Sequence, residues 1–279
     1  MPHISIITLC ENTVGKTGLL GEHGLSFFIQ TDNHILLFDT GAGYTIIHNS
    51  KKLNLPLSSV DYLILSHGHY DHTGGMKKLF KVANIQKVFA HPDAFRKRYV
   101  KDSDGKIREI GYRGPSPKIL NKKITQFTPT TTPTKIKNNI FISGTIPRIT
   151  PFESPEPHFF LDAQCTQLDT FHDDQCLFID GKKYGIVLLG CTHAGLINTL
   201  TYLRNNLIKS AKEIIVIGGL HLHSATEERL QMTSNALSSL NINSLYACHC
   251  SGFKSLCYFN KHLPFPCLPA PAGTIFNFN

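Results

Sequence analysis

The sequence predicts an α/β fold built from one domain, 1–279, and three observations carry that prediction. Short runs of β-branched and aromatic residues alternate with helical patterns, which is the order found in doubly wound α/β proteins. Several apolar runs end in polar side chains, as strands do at the ligand-binding edge of such a sheet. The 279 residues are 41% hydrophobic and 17% charged, so the chain can bury a large core and wholesale disorder is excluded.

Strands and helices are predicted in alternation through the N-terminal third. The strand Ile35–Asp39 is the most informative, because its residues before Asp39 are continuously apolar and we expect them to be buried on both faces. Turn residues bound the strands, and a proline follows the first helix. The other predicted elements are strands at Ile4–Leu9, Leu25–Gln30, Tyr62–Leu65 and Lys87–Ala90, and helices at about Tyr44–Leu53 and Gly75–Val82.

The same alternation returns in the C-terminal third. Cys176–Ile179 and Ile186–Leu189 predict a hairpin around Asp180-Gly181. Three apolar runs of this part end in cysteine or histidine residues, so we expect these side chains to meet at one edge of a sheet. The remaining predicted elements are helices near Leu196–Ile208 and Thr226–Leu240, and strands over Ile214–Ile217 and Leu245–Ala247.

Residues 92–157, called the middle segment below, break this pattern. Nine of the 15 prolines fall there, and proline removes a hydrogen-bond donor and fixes φ, so we expect a loop or lid with one strand, Asn139–Ser143. Residues 93–148 carry 13 basic and four acidic side chains, a net charge of +9 in a chain whose total is +8. This charge predicts either a rim that attracts anions or a solvated lysine-rich loop.

Composition also excludes several classes of protein. No run reaches about 18 uncharged apolar residues, which excludes a membrane span. The first residues, Met1–Ile6, have no basic region followed by a long apolar run, so we expect a cytoplasmic protein. The eight cysteines are therefore expected as reduced thiols or metal ligands and not as a disulfide framework.

The strongest functional signal is a cluster of residues that can bind metal directly after a buried strand. It contains His67, His69, Asp71 and His72. In an extended segment residues i and i+2 point the same way, so His67 and His69 can bind one ion, while Asp71 and His72 lie near a second position. Imidazole and carboxylate ligands together favour zinc, with iron or manganese as alternatives. The sequence therefore predicts one or two divalent metal ions.

This motif resembles the signature of the metallo-β-lactamase fold superfamily, and Asp39-Thr40-Gly41 is similar to the motif that precedes it. Within the superfamily, the chain resembles hydrolases related to 7,8-dihydropterin-6-yl-methyl-4-(β-D-ribofuranosyl)aminobenzene 5′-phosphate synthase. The similar runs span nearly the whole chain. They are 22–26, 65–75, 90–92, 146–148, 173–175, 190–195, 218–222 and 248–250.

The resemblance implies a four-layer αβ/βα sandwich of two mixed sheets flanked by helices, with a metal site at one edge. It carries the ligand role over to the four residues of the motif and to His249. Many members place a bridging carboxylate where this chain has Gly190-Cys191-Thr192-His193. Either His193 or Cys191 then completes the metal sphere, or only one ion binds tightly. We favour His193, because Cys191 could equally be a small buried hydrophobe.

Five further residues are candidates for supporting roles. Asp39 is interpreted as a carboxylate that fixes a ligand imidazole. His91 could be a metal ligand, a substrate contact or a helix cap, and His221 could bind metal, bind phosphate or line the site. Arg148 is expected either to meet an anionic substrate or to brace the loop backbone. Asp174 is a substrate-binding candidate whose alternative is turn chemistry.

These residues predict a metal-dependent hydrolase that uses a metal-activated water, with Asp71 holding the second ion and taking up a proton. We expect a small anionic substrate bearing phosphate and no membrane partner. A homo-oligomer is left open as a possibility. One alternative is a nucleic-acid processing enzyme of the same fold, which would bind RNA or DNA through the basic residues. Another is a non-catalytic metal-binding sensor. A diiron–flavin redox enzyme is disfavoured, because the chain has no glycine-rich phosphate-binding loop.

Overall fold

The computed structural model describes residues 4–116, 119–120, 126–137, 139–208 and 212–278. The first of its two large sheets has the strand order β17-β1-β2-β3-β4-β5-β8. Pairing is antiparallel from β17 to β3 and parallel from β3 to β8. The strands are β1 (Ile4–Cys10), β2 (Ser26–Gln30), β3 (Ile35–Phe38), β4 (Tyr62–Ile64), β5 (Lys87–Ala90), β8 (Gln126–Pro129) and β17 (Ile275–Phe278).

The second sheet also has seven strands, in the order β16-β15-β14-β13-β12-β10-β9. Strands β13 to β16 pair in parallel, whereas β9, β10, β12 and β13 pair antiparallel in that order. The strands are β9 (Thr134–Lys137), β10 (Ile140–Ile142), β12 (Leu177–Asp180), β13 (Gly185–Leu189), β14 (Ile214–Gly219), β15 (Ile242–Cys248) and β16 (Cys267–Pro269).

Helices cover the outer face of each sheet. The first sheet carries α1 (Ile46–Lys52) and α3 (Met76–Val82), with the short α2 (Tyr70–Thr73) at its edge. The second sheet carries α4 (Leu196–Asn206), α5 (Glu227–Leu237) and α6 (Phe253–His262). Helix α5 begins where the sequence predicts, because Thr226 Oγ1 accepts a hydrogen bond from the N–H of Arg229.

Strand β3 shows how the layers stack. Leu36 and Phe38 pack into the apolar core between the two sheets, together with Leu188 of the second sheet. Leu37 points the other way and packs with Ile46 of α1 and other residues beneath the outer helices. The prediction that β3 is buried on both faces is confirmed, and the molecule is a four-layer sandwich of two mixed sheets between helices.

The middle segment contains more regular structure than its prolines indicate. Besides β10, which matches the predicted strand, it holds β8 and β9 of the two large sheets. It also holds β6 (Tyr99–Lys101) and β7 (Ile107–Glu109), which form a separate three-stranded sheet with β11 (Phe159–Phe160). The expectation of a loop with one strand is therefore wrong. Strands β6 and β7, and β9 and β10, are short local hairpins, whereas β8 pairs with the distant β5 and β6 with the distant β11. Local proline content does not reveal such short strands.

The topology places several strand ends at one edge of the sandwich. Strands β3, β4 and β5 run in parallel in the first sheet, and β13, β14 and β15 do so in the second. Because the carboxyl ends of parallel strands meet at the same edge, the polar residues that follow them are brought together. Among the described residues, none of the helices combines the length and apolar character that a membrane crossing requires.

Candidate metal centre

Three histidines form a buried group at this edge. His67 follows β4, His69 precedes α2, and His193 follows β13, and their ligand atoms all lie within 4.8 Å of one another. The Nε2 atom of each is buried and has no hydrogen-bond partner. Burial and the neighbouring positive groups hold the pKa of His67 and of His69 well below the usual value, and burial above all lowers that of His193 to about 3. This three-imidazole group therefore offers neutral nitrogens with free lone pairs.

A second group lies beside it and mixes carboxylate with imidazole. It consists of Asp71, His72 and His249, whose ligand atoms also lie within 4.8 Å of one another. Asp71 Oδ2 is 3.3 Å from His249 Nε2 and 3.9 Å from His72 Nε2. Although burial raises the pKa of Asp71, the His72 charge and the hydrogen bonds from His23 and His249 outweigh it, so the carboxylate stays ionised. This mixed group offers one anionic and two imidazole donors.

Both groups fit a divalent metal ion. A buried imidazole nitrogen without a partner costs free energy, and a cation bound by several such nitrogens would offset that cost. Imidazole and carboxylate donors together suit zinc, iron or manganese. The structure thus brings His67, His69, Asp71, His72, His193 and His249, the six residues expected from the sequence, to one point.

Polar residues behind the ligands fix their orientation. Asp39 Oδ2 lies 2.7 Å from His72 Nδ1, and both side chains are fully buried. The same carboxylate accepts hydrogen bonds from the Ser66 N–H at 2.7 Å and from its hydroxyl at 2.6 Å. Asp39 therefore positions a ligand, as the sequence indicates, and its burial keeps it away from any substrate.

His249 is oriented from β1. Its Nδ1 lies 2.9 Å from Asn12 Oδ1, and its backbone N–H donates to Glu11 Oε1 at 2.6 Å. An amide oxygen at Nδ1 fixes the tautomer in which Nε2 faces the mixed group. Sequence reasoning missed Glu11 and Asn12, although two polar residues at the end of an apolar strand are the signal that marks the other site residues.

The backbone around the site adopts unusual conformations. Asp39, Thr192, His221 and His249 all have positive φ, between 48° and 61°. A positive φ is rare for a β-branched residue such as threonine, and residues in this conformation concentrate at functional sites. At Gly190 a Cβ would lie 2.2 Å from Ser66 Oγ, so only glycine lets the two sheets approach here.

His193 and Cys191 both reach the site. His193 belongs to the three-imidazole group, while Cys191 Sγ lies 3.2 Å from His72 Nε2. The turn after β13 thus directs both side chains to the same edge, and the choice of His193 as the ligand stays a prediction.

The structure gives supporting roles to the candidates His91 and Asp174. His91 is a cap, since its Nδ1 accepts the Asp93 N–H at 3.1 Å and starts the 3₁₀ turn Pro92–Phe95. Asp174 is 2% exposed and accepts the Ala194 N–H at 2.8 Å. Its substrate-binding role is therefore wrong: the carboxylate supports the turn that carries His193.

Arg148 braces the backbone. Its guanidinium donates to the carbonyl oxygens of Thr170 at 3.3 Å, Glu153 at 3.1 Å and His193 at 2.5 Å. These carbonyl oxygens occupy the N–H donors of the guanidinium. The structure therefore supports the alternative in which Arg148 braces the loop backbone, and not the one in which it contacts substrate.

His221 and Glu156 form an ion pair next to the three-imidazole group. Glu156 Oε1 lies 2.6 Å from His221 Nδ1 and 3.8 Å from His193 Nδ1. Burial lowers the pKa of His221, but the hydrogen bond that its Nδ1–H donates to Glu156 and nearby negative groups outweigh burial and raise the pKa to about 9. Sequence reasoning missed Glu156, which lies in the proline-rich segment without a recognisable pattern.

His23 is another residue of the site that sequence reasoning missed. Its Nε2 lies 3.3 Å from Asp71 Oδ2, and its side chain is 61% exposed. It borders the mixed group from the solvent side. The run 22–26, which carries the family resemblance, was the signal available for it.

The basic residues of the middle segment do not form one continuous rim. Arg98 is 1% exposed and is bound by Asp173 at 2.6 Å and Asp169 at 2.9 Å. Because Asp173 also accepts the Gly68 N–H at 2.8 Å, this buried cluster fixes the turn between His67 and His69. Lys118, Lys122 and Lys123 lie outside the described residues.

A cleft of about 760 Å³ opens over both groups. Its floor includes His69, Asp71, Cys191, His193, His249 and Cys250. The three-stranded sheet forms one wall, where Lys101 and Arg108 face the cleft, and Arg108 is paired with Asp102 at 2.6 Å. This volume suits a small molecule.

Comparison with known proteins identifies the class of protein to which this two-sheet sandwich belongs. The family model of the metallo-β-lactamase superfamily matches residues 20–148. The 7,8-dihydropterin-6-methyl-4-(β-D-ribofuranosyl)-aminobenzene-5′-phosphate synthase of Methanocaldococcus jannaschii is 30% identical over 99% of this chain and 97% of its own length. The chain belongs to the metallo-β-lactamase superfamily, as its motif predicts.

Other relatives cover the chain to a similar extent. The uncharacterised protein MJ0448 of the same organism is 33% identical over 89% of this chain and 91% of its own. The crystal structure of Tm1679, described as a metal-dependent hydrolase of the β-lactamase superfamily, matches with a TM-score of 0.80 and 25% identity over 98% of both chains. YhfI from Bacillus subtilis, with a TM-score of 0.58 and 11% identity over 99% of this chain and all of its own, shares the fold.

Proposed function

We propose that the protein is a metal-dependent hydrolase of one catalytic domain that acts on a phosphoester or another small anionic substrate. The observation that carries this proposal is the pair of adjacent donor groups, three-imidazole and mixed, on the floor of one open cleft. Divalent ions held there would polarise the substrate and lower the pKa of a water molecule towards neutrality. Zinc is the ion that this donor set favours.

The chain's own residues supply proton handling. Asp71 is an ionised carboxylate at the cleft floor and can accept a hydrogen bond from a water molecule and orient it. His221 can donate a proton, because Glu156 pairs with its Nδ1 and raises the pKa of the imidazole. The Nε2–H of His221 can then donate to a molecule bound in the cleft. The two side chains thus provide a water-orienting carboxylate and an acid on the same cleft.

The cleft wall supplies positive charge for an anionic substrate. Lys101 faces the cleft, and Arg108 beside it retains donors although it also pairs with Asp102. A phosphate group is a suitable partner for both side chains. The printed name of the Methanocaldococcus jannaschii relative includes a 5′-phosphate, which supports a phosphate-bearing substrate class.

That relative's name also describes a synthase, and its 30% identity over almost the whole chain makes synthesis the second candidate function. Such a reaction would bond a dihydropterin-methyl unit to a ribofuranosylaminobenzene phosphate while a leaving group departs from the methyl carbon with its bonding electron pair. Synthesis would use the same cleft and the same anion-binding wall. Hydrolysis and synthesis therefore differ in the molecule that accepts the transferred group and not in the site.

The two alternatives from the sequence receive less support. The buried ion pairs of Arg98 and the backbone contacts of Arg148 remove charge that nucleic acid would need. A sensor would enclose its ion fully in protein, whereas both donor groups here border an open cleft.

The experiment is a substrate panel on the zinc-loaded full chain, with phosphomonoester, phosphodiester, lactone, thioester and β-lactam substrates, and dihydropterin with a ribofuranosylaminobenzene phosphate. We expect hydrolysis of a phosphoester that is lost in His69→Ala and kept in the exposed control His172→Ala. Turnover of no substrate above the His69→Ala background would contradict the proposal. Product formation only in the dihydropterin reaction would favour the synthase.

A further inference from the structure

The three-stranded sheet turns one row of side chains toward the cleft. In the pairing of its strands, Phe159 of β11 lies opposite Val100 of β6, and Val100 lies opposite Arg108 of β7. Residues directly opposite one another on paired strands point to the same face of a sheet. Phe159, Val100 and Arg108 therefore form a row across this sheet, and all three line the cleft.

The row begins beside the metal-binding groups and ends away from them. The centroid of the Phe159 ring lies 5.7 Å from that of His69 and 5.5 Å from that of His193. Neighbouring strands are about 4.7–4.9 Å apart, so the backbone of Arg108, two strands away, lies roughly 10 Å from that of Phe159. Arg108 thus stands at the outer end of the row.

The wall between these two ends is apolar. Val100 and Phe159 are 7% and 8% exposed and pack in one small cluster with Ile110 and Phe171, against which Tyr70 also packs. Val100, Ile110, Phe159 and Tyr70 line the cleft. A wall of apolar and aromatic side chains favours contact with an aromatic or other flat apolar group.

Asp102 fixes the guanidinium of Arg108. The Nε of Arg108 donates to Asp102 Oδ2 at 2.6 Å, and its Nη2 donates to Oδ1 at 2.8 Å. A guanidinium carries five N–H donors, so this pairing leaves donors for a second oxyanion. The Arg108 side chain is 46% exposed, and an oxyanion bound in the cleft therefore has access to them.

We propose that Arg108 determines substrate specificity by binding an oxyanion, such as phosphate, that is not the group undergoing reaction. The substrate class is then a molecule of two ends. Its reacting bond lies at the metal-binding groups, a flat apolar portion lies against Phe159 and Val100, and its oxyanion lies at Arg108. This inference rests on the proposed hydrolase function and adds the shape of the substrate and the residue that selects it.

The test is the binding of two metal-chelating probes to the zinc-loaded full chain, measured by calorimetry. One probe is para-(phosphonomethyl)benzohydroxamate. The other is para-methylbenzohydroxamate, which has the same metal-binding end and the same ring but no oxyanion. We expect the phosphonate probe to bind the wild type about 10–100-fold more tightly, which is the gain expected of a hydrogen bond between charged groups.

Two matched variants locate the effect. Arg108→Met keeps an apolar stem and removes the charge, so we expect the two probes to bind it with similar affinity. Arg113→Met removes an exposed arginine that follows the same hairpin and donates to the carbonyl oxygen of Glu109. This control should keep the preference of the wild type for the phosphonate probe.

Four outcomes would overturn the inference. Equal affinity of the wild type for the two probes would show that the wall binds no oxyanion, and turnover in the substrate panel would then leave the proposed hydrolase intact. A preference that persists in Arg108→Met would assign the oxyanion to another group. A preference lost equally in Arg113→Met would reduce the effect to the general charge of the hairpin. Binding of neither probe would refute both this inference and the metal dependence of the proposed function.

Discussion

Asp39 and His72 lie side by side in the fully buried floor of the site, with Asp39 Oδ2 2.7 Å from His72 Nδ1. Burial lowers the pKa of His72, but the charges of Asp39 and Asp71 outweigh it and raise the pKa to about 9. The carboxylate thus orients the imidazole and increases its basicity, which is the usual role of a residue behind a metal ligand.

Asp39→Asn should therefore weaken metal binding at the mixed group by about 10–100-fold. Asparagine tolerates the positive φ of 61° at this position, so the fold should persist. Chelator competition on the refolded protein measures the affinity of each ion. Asp61→Asn, far from the site, is the matched control, and equal affinities in the two variants would contradict the role of Asp39.

His221→Ala should lower kcat by about 10²–10⁴-fold while the metal content stays the same, because the imidazole donates a proton and holds no ion in our assignment. Since the pKa of His221 is raised to about 9, the proton is present below that pH and activity should fall as the pH rises through it. Glu156→Gln should move this alkaline limb to lower pH. The pH–rate profile of the zinc-loaded enzyme measures both effects, with His262→Ala as control, and an unchanged profile in Glu156→Gln would exclude His221 as the acid.

Arg148→Ala should destabilise the protein without a specific change in KM. Three carbonyl oxygens lose a charged donor, which costs about 2–3 kcal/mol. Urea denaturation measures the free energy of unfolding. Arg96→Ala removes an exposed arginine and should cost much less. A stable Arg148→Ala enzyme whose KM alone rises would instead restore the substrate-binding role that the sequence suggested.

Asp174→Asn should remove a pH dependence of stability in the metal-free protein. Burial is the main cause that raises the pKa of Asp174 from 3.8 to about 7. Between these values the folded state holds the proton that the unfolded state releases, so stability falls as the pH rises from about 4 to 7. The full difference corresponds to about 4 kcal/mol as an upper bound.

Denaturation at about pH 4.5, near the lower end of that range, and at about pH 7.5, above its upper end, checks the prediction. The wild type should lose stability at the higher pH relative to Asp174→Asn. The exposed control Asp104→Asn should behave as the wild type does. A parallel pH dependence in wild type and Asp174→Asn would show that another group is responsible.

Much of the fold follows from local pattern. Strand β5 begins and ends where the apolar run Lys87–Ala90 predicts, and β3 is buried on both faces because no polar residue interrupts it. The middle segment could not be predicted in the same way. Strands β6 and β7 are exposed or half-buried except at Val100, and they gain their stability from pairing with each other and with the distant β11, which a local pattern does not encode.

The sequence by itself determined an α/β fold and the identity of the residues able to bind metal, because strand periodicity and the spacing of His67, His69, Asp71 and His72 are local properties. The superfamily and its sandwich of two mixed sheets followed from the resemblance that these motifs carry. Only the tertiary structure decided which of the remaining side chains support them. Glu156, Asn12 and Cys250 reach the site from segments far apart in the chain, and Arg148 and Asp174 turn inward to support a backbone. Such roles depend on which strand ends are brought to one edge, and that is fixed by sheet pairing across the whole chain.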